Sequence, residues 1–193
     1  MPKNILILNG HPDPAPERLC AGLAVAYAHA ASLAGHRVRR IDVGALDFPL
    51  IRSQGDFVEG EPPAAIRDAQ EAVRWADHVA IFYPLWQGGP PAVLKGFIEQ
   101  VMRYGVALSP PGEPVKGLLA GRSAHLFVTM GMPAFAFRLV FGSHGVKCLT
   151  KGVFWISGFR PVRDTVFGNV EGVSPAKRRG WLDLVARLGA AAA

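Results

Sequence analysis

The chain has almost no cysteine, no acidic excess and no long apolar run, and each shortage narrows what it can be. Its two cysteines, Cys20 and Cys148, stand far apart and form neither a CxxC pair nor a metal-ligand spacing. Both suit a reducing compartment, and an ordinary helix position is the expected role for each. His and acidic residues show no ligand spacing either, so no metal is expected. The longest apolar stretch, from about Leu126 to Phe137, contains Pro133 and falls short of the ~20 residues a membrane-spanning helix needs. At the N-terminus, Ile5-Leu6-Ile7-Leu8 is too short for a signal-peptide core and begins a strand instead. These shortages lead to the expectation of a soluble, cytoplasmic protein with no integral membrane segment.

What is present is half hydrophobic and only 19% charged over 193 residues, which excludes general disorder and suits one domain spanning the chain. The net charge of +6 could favour nucleic acid, a membrane surface or anionic small molecules. The basic residues are dispersed, apart from Lys177-Arg178-Arg179. That trio fits a solvated helix face, and no nucleic-acid motif accompanies it. A phosphate-bearing cofactor matches the charge better.

The pattern alternates strands and helices. Lys3–Asn9 is a first strand, followed by a helix from about Glu17 to Ala34 with Leu19, Leu23, Ala26, Ala30 and Leu33 on its apolar face. Gly35 ends that helix, and His36–Asp42 forms the second strand. Residues 43–62 form an irregular connection. A helix over about Pro63–Ala76 carries Ile66, Ala69, Val73 and Ala76 on one face, with Pro in its first turn. His78–Tyr83 is the third strand, Pro91–Met102 the third helix and Ala124–Thr129 the fourth strand. Phe135–Gly158 is less regular, and Arg160–Val170 is the fifth strand. Ser174-Pro175 opens a final helix with Trp181, Leu184, Val185 and Leu188 inward. Five such strands imply a doubly wound parallel sheet with helices on both faces. Ligands of these sheets sit at the strands' carboxyl ends, here Asn9–Cys20, Tyr83–Pro91 and Thr129–Arg138.

Neither G-x-G-x-x-G nor G-x-x-x-x-G-K-[ST] follows the first strand. A helix starting after Pro16 would still aim free N–H groups at an anion, with Arg18 beside them. The richest loop is Tyr83-Pro84-Leu85-Trp86-Gln87-Gly88-Gly89-Pro90-Pro91, leading into Ala92-Val93-Leu94-Lys95-Gly96. Its aromatic, amide and glycine residues can hold a flat apolar ligand and bond its polar edge, which points to a planar cofactor. Taken singly, the same residues have plainer roles. Trp86 could pack at an interface, His11 could bond its own loop, Thr129 could cap a turn and His144 could be any surface histidine.

Together these motifs resemble the flavodoxin-like NAD(P)H:quinone oxidoreductases, which include mammalian quinone reductases, bacterial drug-modulator quinone reductases and ancillary subunits of potassium efflux systems. The resemblance rests on Gly10-His11-Pro12, on Tyr83-Pro84-Leu85-Trp86-Gln87 through Lys95-Gly96, on Thr129-Met130-Gly131-Met132, and on Ser143-His144-Gly145. It covers about Lys3 to Val170. It implies a flavodoxin-like sheet of order 2-1-3-4-5 and a flavin, FMN or FAD, with NAD(P)H as co-substrate. It further implies a quinone or similar acceptor and a homodimer.

By the same resemblance, Pro84, Leu85, Trp86 and Gln87 lie along the flavin ring, with Thr129, Met130 and Gly131 forming the second wall. His11, Arg18, Leu19 and Cys20 hold the phosphate, and His144 is the catalytic imidazole. Trp86 and Gln87 stand in the reverse of the family's usual order, and the phosphate loop lacks its usual hydroxyl and amide residues. Room for an adenine, if FAD binds, is expected along Arg52–Val58 or Arg103–Pro114. A flavodoxin-type electron carrier and a flavin-binding regulatory subunit of a potassium efflux system are the alternatives.

Overall fold

The computed structural model describes residues 1–193. Five strands, β1 (Asn4–Asn9), β2 (Arg37–Asp42), β3 (His78–Pro84), β4 (Ser123–Thr129) and β5 (Val162–Phe167), form one sheet with every neighbouring pair parallel. Their order is β2-β1-β3-β4-β5, as expected. The helices are α1 (Leu19–Leu33), α2 (Gln54–Val58), α3 (Ala64–Trp75), α4 (Ala92–Val101), α5 (Ala134–Leu139), α6 (His144–Leu149) and α7 (Pro175–Ala191).

Successive strand residues point to opposite faces, and on the inner strands β1, β3 and β4 both faces are covered, which is why these three are nearly continuous apolar runs, whereas the edge strands β2 and β5 carry exposed charged residues. Ile5 and Ile7 of β1, Ala80 and Phe82 of β3 and Phe127 of β4 pack with Cys20, Leu23 and Tyr27 of α1 and Val185 of α7. Leu6, Leu8, Val79, Ile81, Leu126 and Val128 face the other way. They build a larger core with Ile66 of α3, Phe97 of α4, and Phe137, Leu149 and Phe154 from the β4–β5 connection. A fully buried Phe, Leu or Ile contributes roughly 1.5–3 kcal/mol, so these two layers dominate stability.

Several boundaries differ from expectation. Helix α1 begins at Leu19, not Glu17, because the Ala15 N–H donates to Asp13 Oδ1 at 2.9 Å and Arg18 N–H to Ala15 O at 3.2 Å. These bonds hold residues 13–18 in turns. The buried face of α1 is Cys20, Leu23, Ala24, Tyr27 and Ala31, whereas Leu33 is 76% exposed at the helix tip. The connection 43–62 contains α2, capped where Ser53 Oγ accepts from the Asp56 N–H at 3.0 Å. Strand β5, Val162–Phe167, is shorter than the expected Arg160–Val170, and the left-handed Asn169 (φ +56°) lies just past its end. The 134–158 segment is helical in pieces. Positive φ at Gly142 (+58°) and Ser143 (+55°) separates α5 from α6, and a wider π-type turn, Thr150–Trp155, follows α6.

The N-terminal cap of α7 forms as expected, with Ser174 Oγ accepting from the Lys177 N–H and Pro175 in the first turn. Lys177, Arg178 and Arg179 are exposed. Because β1 lies between β2 and β3, the crossovers from it diverge and leave a crevice beyond Asn9 and Pro84.

Candidate functional site

Three loops leave the carboxyl edge of the sheet beside that crevice. After β1, Gly10 N–H donates to Phe82 O at 2.7 Å, so the chain turns over the end of β3. The Asp13 N–H donates to His11 Nδ1 at 3.0 Å, which puts the imidazole proton on Nε2. Burial pulls the His11 pKa below its ordinary value, and the ring is neutral at pH 7. It meets Trp86 edge to face, with centroids 6.1 Å apart.

Arg18 is the N-cap residue of α1, makes no side-chain cap bond, and precedes a first turn without an acidic residue. The ladder starts with Gly22 N–H to Arg18 O at 3.0 Å. The amides of Leu19, Cys20 and Ala21 therefore precede it and have no intrahelical acceptor. Together with the helix dipole they make an anion seat. The Arg18 guanidinium stands next to this seat, donating through Nε to Asp13 Oδ2 at 2.7 Å. The Ala15 N–H and then Arg18 hold the Asp13 carboxyl below its usual range.

Backbone bonds fix the opposite wall. Leu85 N–H donates to Thr129 O at 2.7 Å, Met130 N–H to Phe167 O at 2.9 Å, and Val170 N–H to Met130 O at 3.1 Å. The side chain of Cys20 meets that of Thr129, with Sγ 3.3 Å from Oγ1. Burial pushes the Cys20 thiol up to about 11, so it stays protonated and is no nucleophile. A Cβ added to Gly131 would meet nothing within 4 Å, leaving the backbone open to a flat ligand.

These walls enclose a cavity of about 430 Å³. It is lined by His11, Arg18, Leu19 and Cys20, by Pro84, Leu85 and Trp86, and by Thr129, Met130 and Gly131. Val170 and Glu171 complete it. Of the proposed flavin residues, Gln87 alone lies outside. The stretch Trp86-Gln87-Gly88-Gly89 closes on itself through Trp86 N–H to Gly89 O (2.9 Å) and Gly89 N–H to Trp86 O (3.0 Å). With φ +48° at Gln87 and +82° at Gly88, this is a type I′ turn. It carries Gln87 to a neighbouring open cleft of about 770 Å³, shared with Leu85, Trp86, Pro90, Pro91 and Lys95.

His144 lines neither cavity; it is exposed at the start of α6. Its neighbour Gly145 lies so close to the turn that an added Cβ would stand 1.8 Å from Gly88 O. Val170 and Glu171 escaped sequence reasoning, although the strand-end rule that selected the other loops applies equally to the end of β5. The segments expected to hold an adenine contribute no lining residue. They pack on each other instead, with Arg103 donating to Asp56 O at 2.7 Å and Phe57 edge-on to Tyr104 at 5.3 Å.

A family model described as a flavodoxin-like fold matches residues 3–179. A Haemophilus influenzae protein named as an uncharacterized NAD(P)H oxidoreductase is 27% identical over 126 residues, 65% of this chain and 62% of that protein. Human ribosyldihydronicotinamide dehydrogenase [quinone] is 44% identical over 66 residues, 34% of this chain and 29% of the human protein. The chain thus covers less than two thirds of the curated relatives' length. Among solved structures, Smu.1420 from Streptococcus mutans superposes with a TM-score of 0.79 at 28% identity, covering 97% of this chain and 99% of that one.

Proposed function

The chain belongs to the flavodoxin-like fold family, and from that premise we propose that it is a flavin-dependent NAD(P)H oxidoreductase that reduces quinones or similar acceptors. The observation that carries this reading is the cavity itself. An anion seat at the N-terminus of α1 and the apolar stretch Pro84-Leu85-Trp86 line one crevice. A phosphate-bearing planar ring has matching ends.

The amides of Leu19, Cys20 and Ala21, with Arg18, would hold the phosphate. Leu85, Trp86 and Met130 would bound the ring, and Gly131 leaves space for it against the backbone. When bound, such a flavin accepts two electrons from a reduced nicotinamide and delivers them to the acceptor. The chain's own contribution is orientation and exclusion of water. Trp86, 51% exposed, stands at the mouth and orients whatever stacks there. We assign to His144, exposed at the start of α6 and next in the chain to the Gly145 that packs on the Trp86–Gly89 turn, a hydrogen bond to the acceptor's oxygen. FMN is the proposed form, because neither segment expected for an adenine lines the cavity.

The whole chain is proposed to act as one flavin-binding domain in a homodimer. The support for a second copy is the group Phe135 (69% exposed), Leu139 (81%) and Val140 (76%) on the connection that follows the third loop. Two free thiols, Cys20 and Cys148, support a cytoplasmic location.

The test is the absorbance spectrum of purified protein reconstituted with FMN. A bound flavin band bleached by NADPH or NADH and restored by menadione supports the proposal. Failure to bind flavin at micromolar concentration removes it. Flavin binding without nicotinamide oxidation leaves a flavodoxin-type carrier.

A further inference from the structure

We propose that the opposite edge of the sheet carries a docking surface for an anionic lipid bilayer, built from the loop before β4 and the end of the helical segment before β5. These two stretches are stitched together. Leu119 N–H donates to Ser157 O at 2.9 Å, and Arg160 N–H to Arg122 O at 2.7 Å. At Gly117 an added Cβ would stand 2.4 Å from the Ser157 carbonyl carbon. The contact leaves four large apolar side chains facing solvent: Val115 (75% exposed), Leu118 (40%), Trp155 (48%) and Ile156 (40%). Cations are set among them. The Arg160 guanidinium lies 4.2 Å from the Trp155 ring centroid and Lys151 Nζ lies 5.9 Å from it, while Lys116 is exposed next to Val115.

The charge balance selects the occupant. Between Glu113 and Asp164 the sequence contains no Asp or Glu. A second copy of this patch would therefore bring like charges together, and an aqueous role leaves the exposed tryptophan and aliphatics unexplained. A surface of anionic headgroups over acyl chains satisfies both halves. The indole and aliphatics enter the boundary, and the cations stay at headgroup level. The cations over Trp155 hold its ring in place as it inserts. The cavity lies at the other edge of the sheet and stays open.

The full chain should co-sediment with vesicles of phosphatidylcholine containing about one third phosphatidylserine, and hardly at all with phosphatidylcholine alone. Raising salt from about 0.1 M to about 0.5 M should cut the partition coefficient by roughly tenfold or more. The double variant Lys116→Glu, Lys151→Glu should lower it by about 25-fold or more, at about fivefold per cation. Trp155→Ser should weaken it separately, with unchanged circular dichroism confirming the fold of both variants. Absence of binding to anionic vesicles, or equal binding to neutral ones, overturns the proposal. So does a sedimentation-velocity result in which Trp155→Ser converts a dimer to a monomer, since the patch would then belong to a second copy.

Discussion

Cys20 at the start of α1 and Thr129 at the end of β4 meet side chain to side chain, Sγ 3.3 Å from Oγ1, although 109 positions separate them. This contact joins the anion seat to the wall of the cavity, on the face of the sheet that α1 covers. Both residues are buried, and that burial pushes the thiol pKa up to about 11, so it stays protonated at neutral pH. At pH 8, iodoacetamide should modify the exposed Cys148 and spare Cys20 in the native protein, with both alkylated in denaturant. Peptide mapping reads the outcome. Thr129→Val should cost about 1 kcal/mol by urea unfolding, because the hydroxyl partner is lost while the shape is kept.

Gly145 predicts a sharper effect. Its added Cβ would stand 1.8 Å from the Gly88 carbonyl, against backbone that has no rotamer to yield. Gly145→Ala should therefore cost on the order of 1–3 kcal/mol and displace the Trp86–Gly89 turn. Urea denaturation measures the first, and weakened FMN binding by fluorescence titration measures the second. Gly152→Ala is the control, since nothing lies within 4 Å of its added Cβ.

The turn itself separates Trp86 from Gln87. Gln87 holds φ +48°, a left-handed conformation that glycine adopts without a steric penalty. Gln87→Gly should stabilise the protein slightly or leave it unchanged, and should alter FMN affinity by less than about threefold, because its side chain lies outside the cavity. Trp86→Ala should weaken FMN by about tenfold or more, through loss of the aromatic wall. A large loss of affinity in Gln87→Gly would show that the amide reaches the flavin.

Acid should unfold the protein by way of two histidines far from the cavity. His78 and His125 are buried on the strands, bonded to Ser123 Oγ at 2.7 Å and Thr165 Oγ1 at 2.8 Å. Burial lowers both pKa values, His78 to about 3. With folded values below the unfolded 6.5, the unfolded chain binds more protons, so stability is full above about 6.5 and falls as pH drops towards about 3. His78 contributes a slope of up to about 1.4 kcal/mol per pH unit in that window, and His125 adds to it in the same direction. His78→Asn should flatten the pH dependence of urea midpoints between pH 6 and 4.

The fold was largely legible because the buried inner strands are short continuous apolar runs and the helices between them repeat their apolar residues at a period near 3.6, and five such units leave few topologies. Leu33 was misjudged because periodicity gives the stripe but not where the sheet ends beneath the helix. The α2 turn was missed because five residues carry too little pattern. Most of the cavity was legible because residues at strand ends must converge in a parallel sheet. Gln87 and His144 were not placed by that rule. A type I′ turn and a glycine contact set their directions, and neither follows from spacing along the chain.

By itself, then, the sequence determined the alternation of elements, the two-sided burial of the sheet, and the chemistry gathered at its carboxyl edge. These follow from local periodicity and from the chirality of crossovers. Only the tertiary structure decided that Cys20 bonds Thr129, that Glu171 joins the cavity and that Gln87 leaves it. It alone stitched the stretch around Leu119 to that around Ser157, 38 positions apart, through the Leu119 N–H to Ser157 O bond. Such relations depend on distances between residues remote along the chain, set by packing that no local pattern encodes.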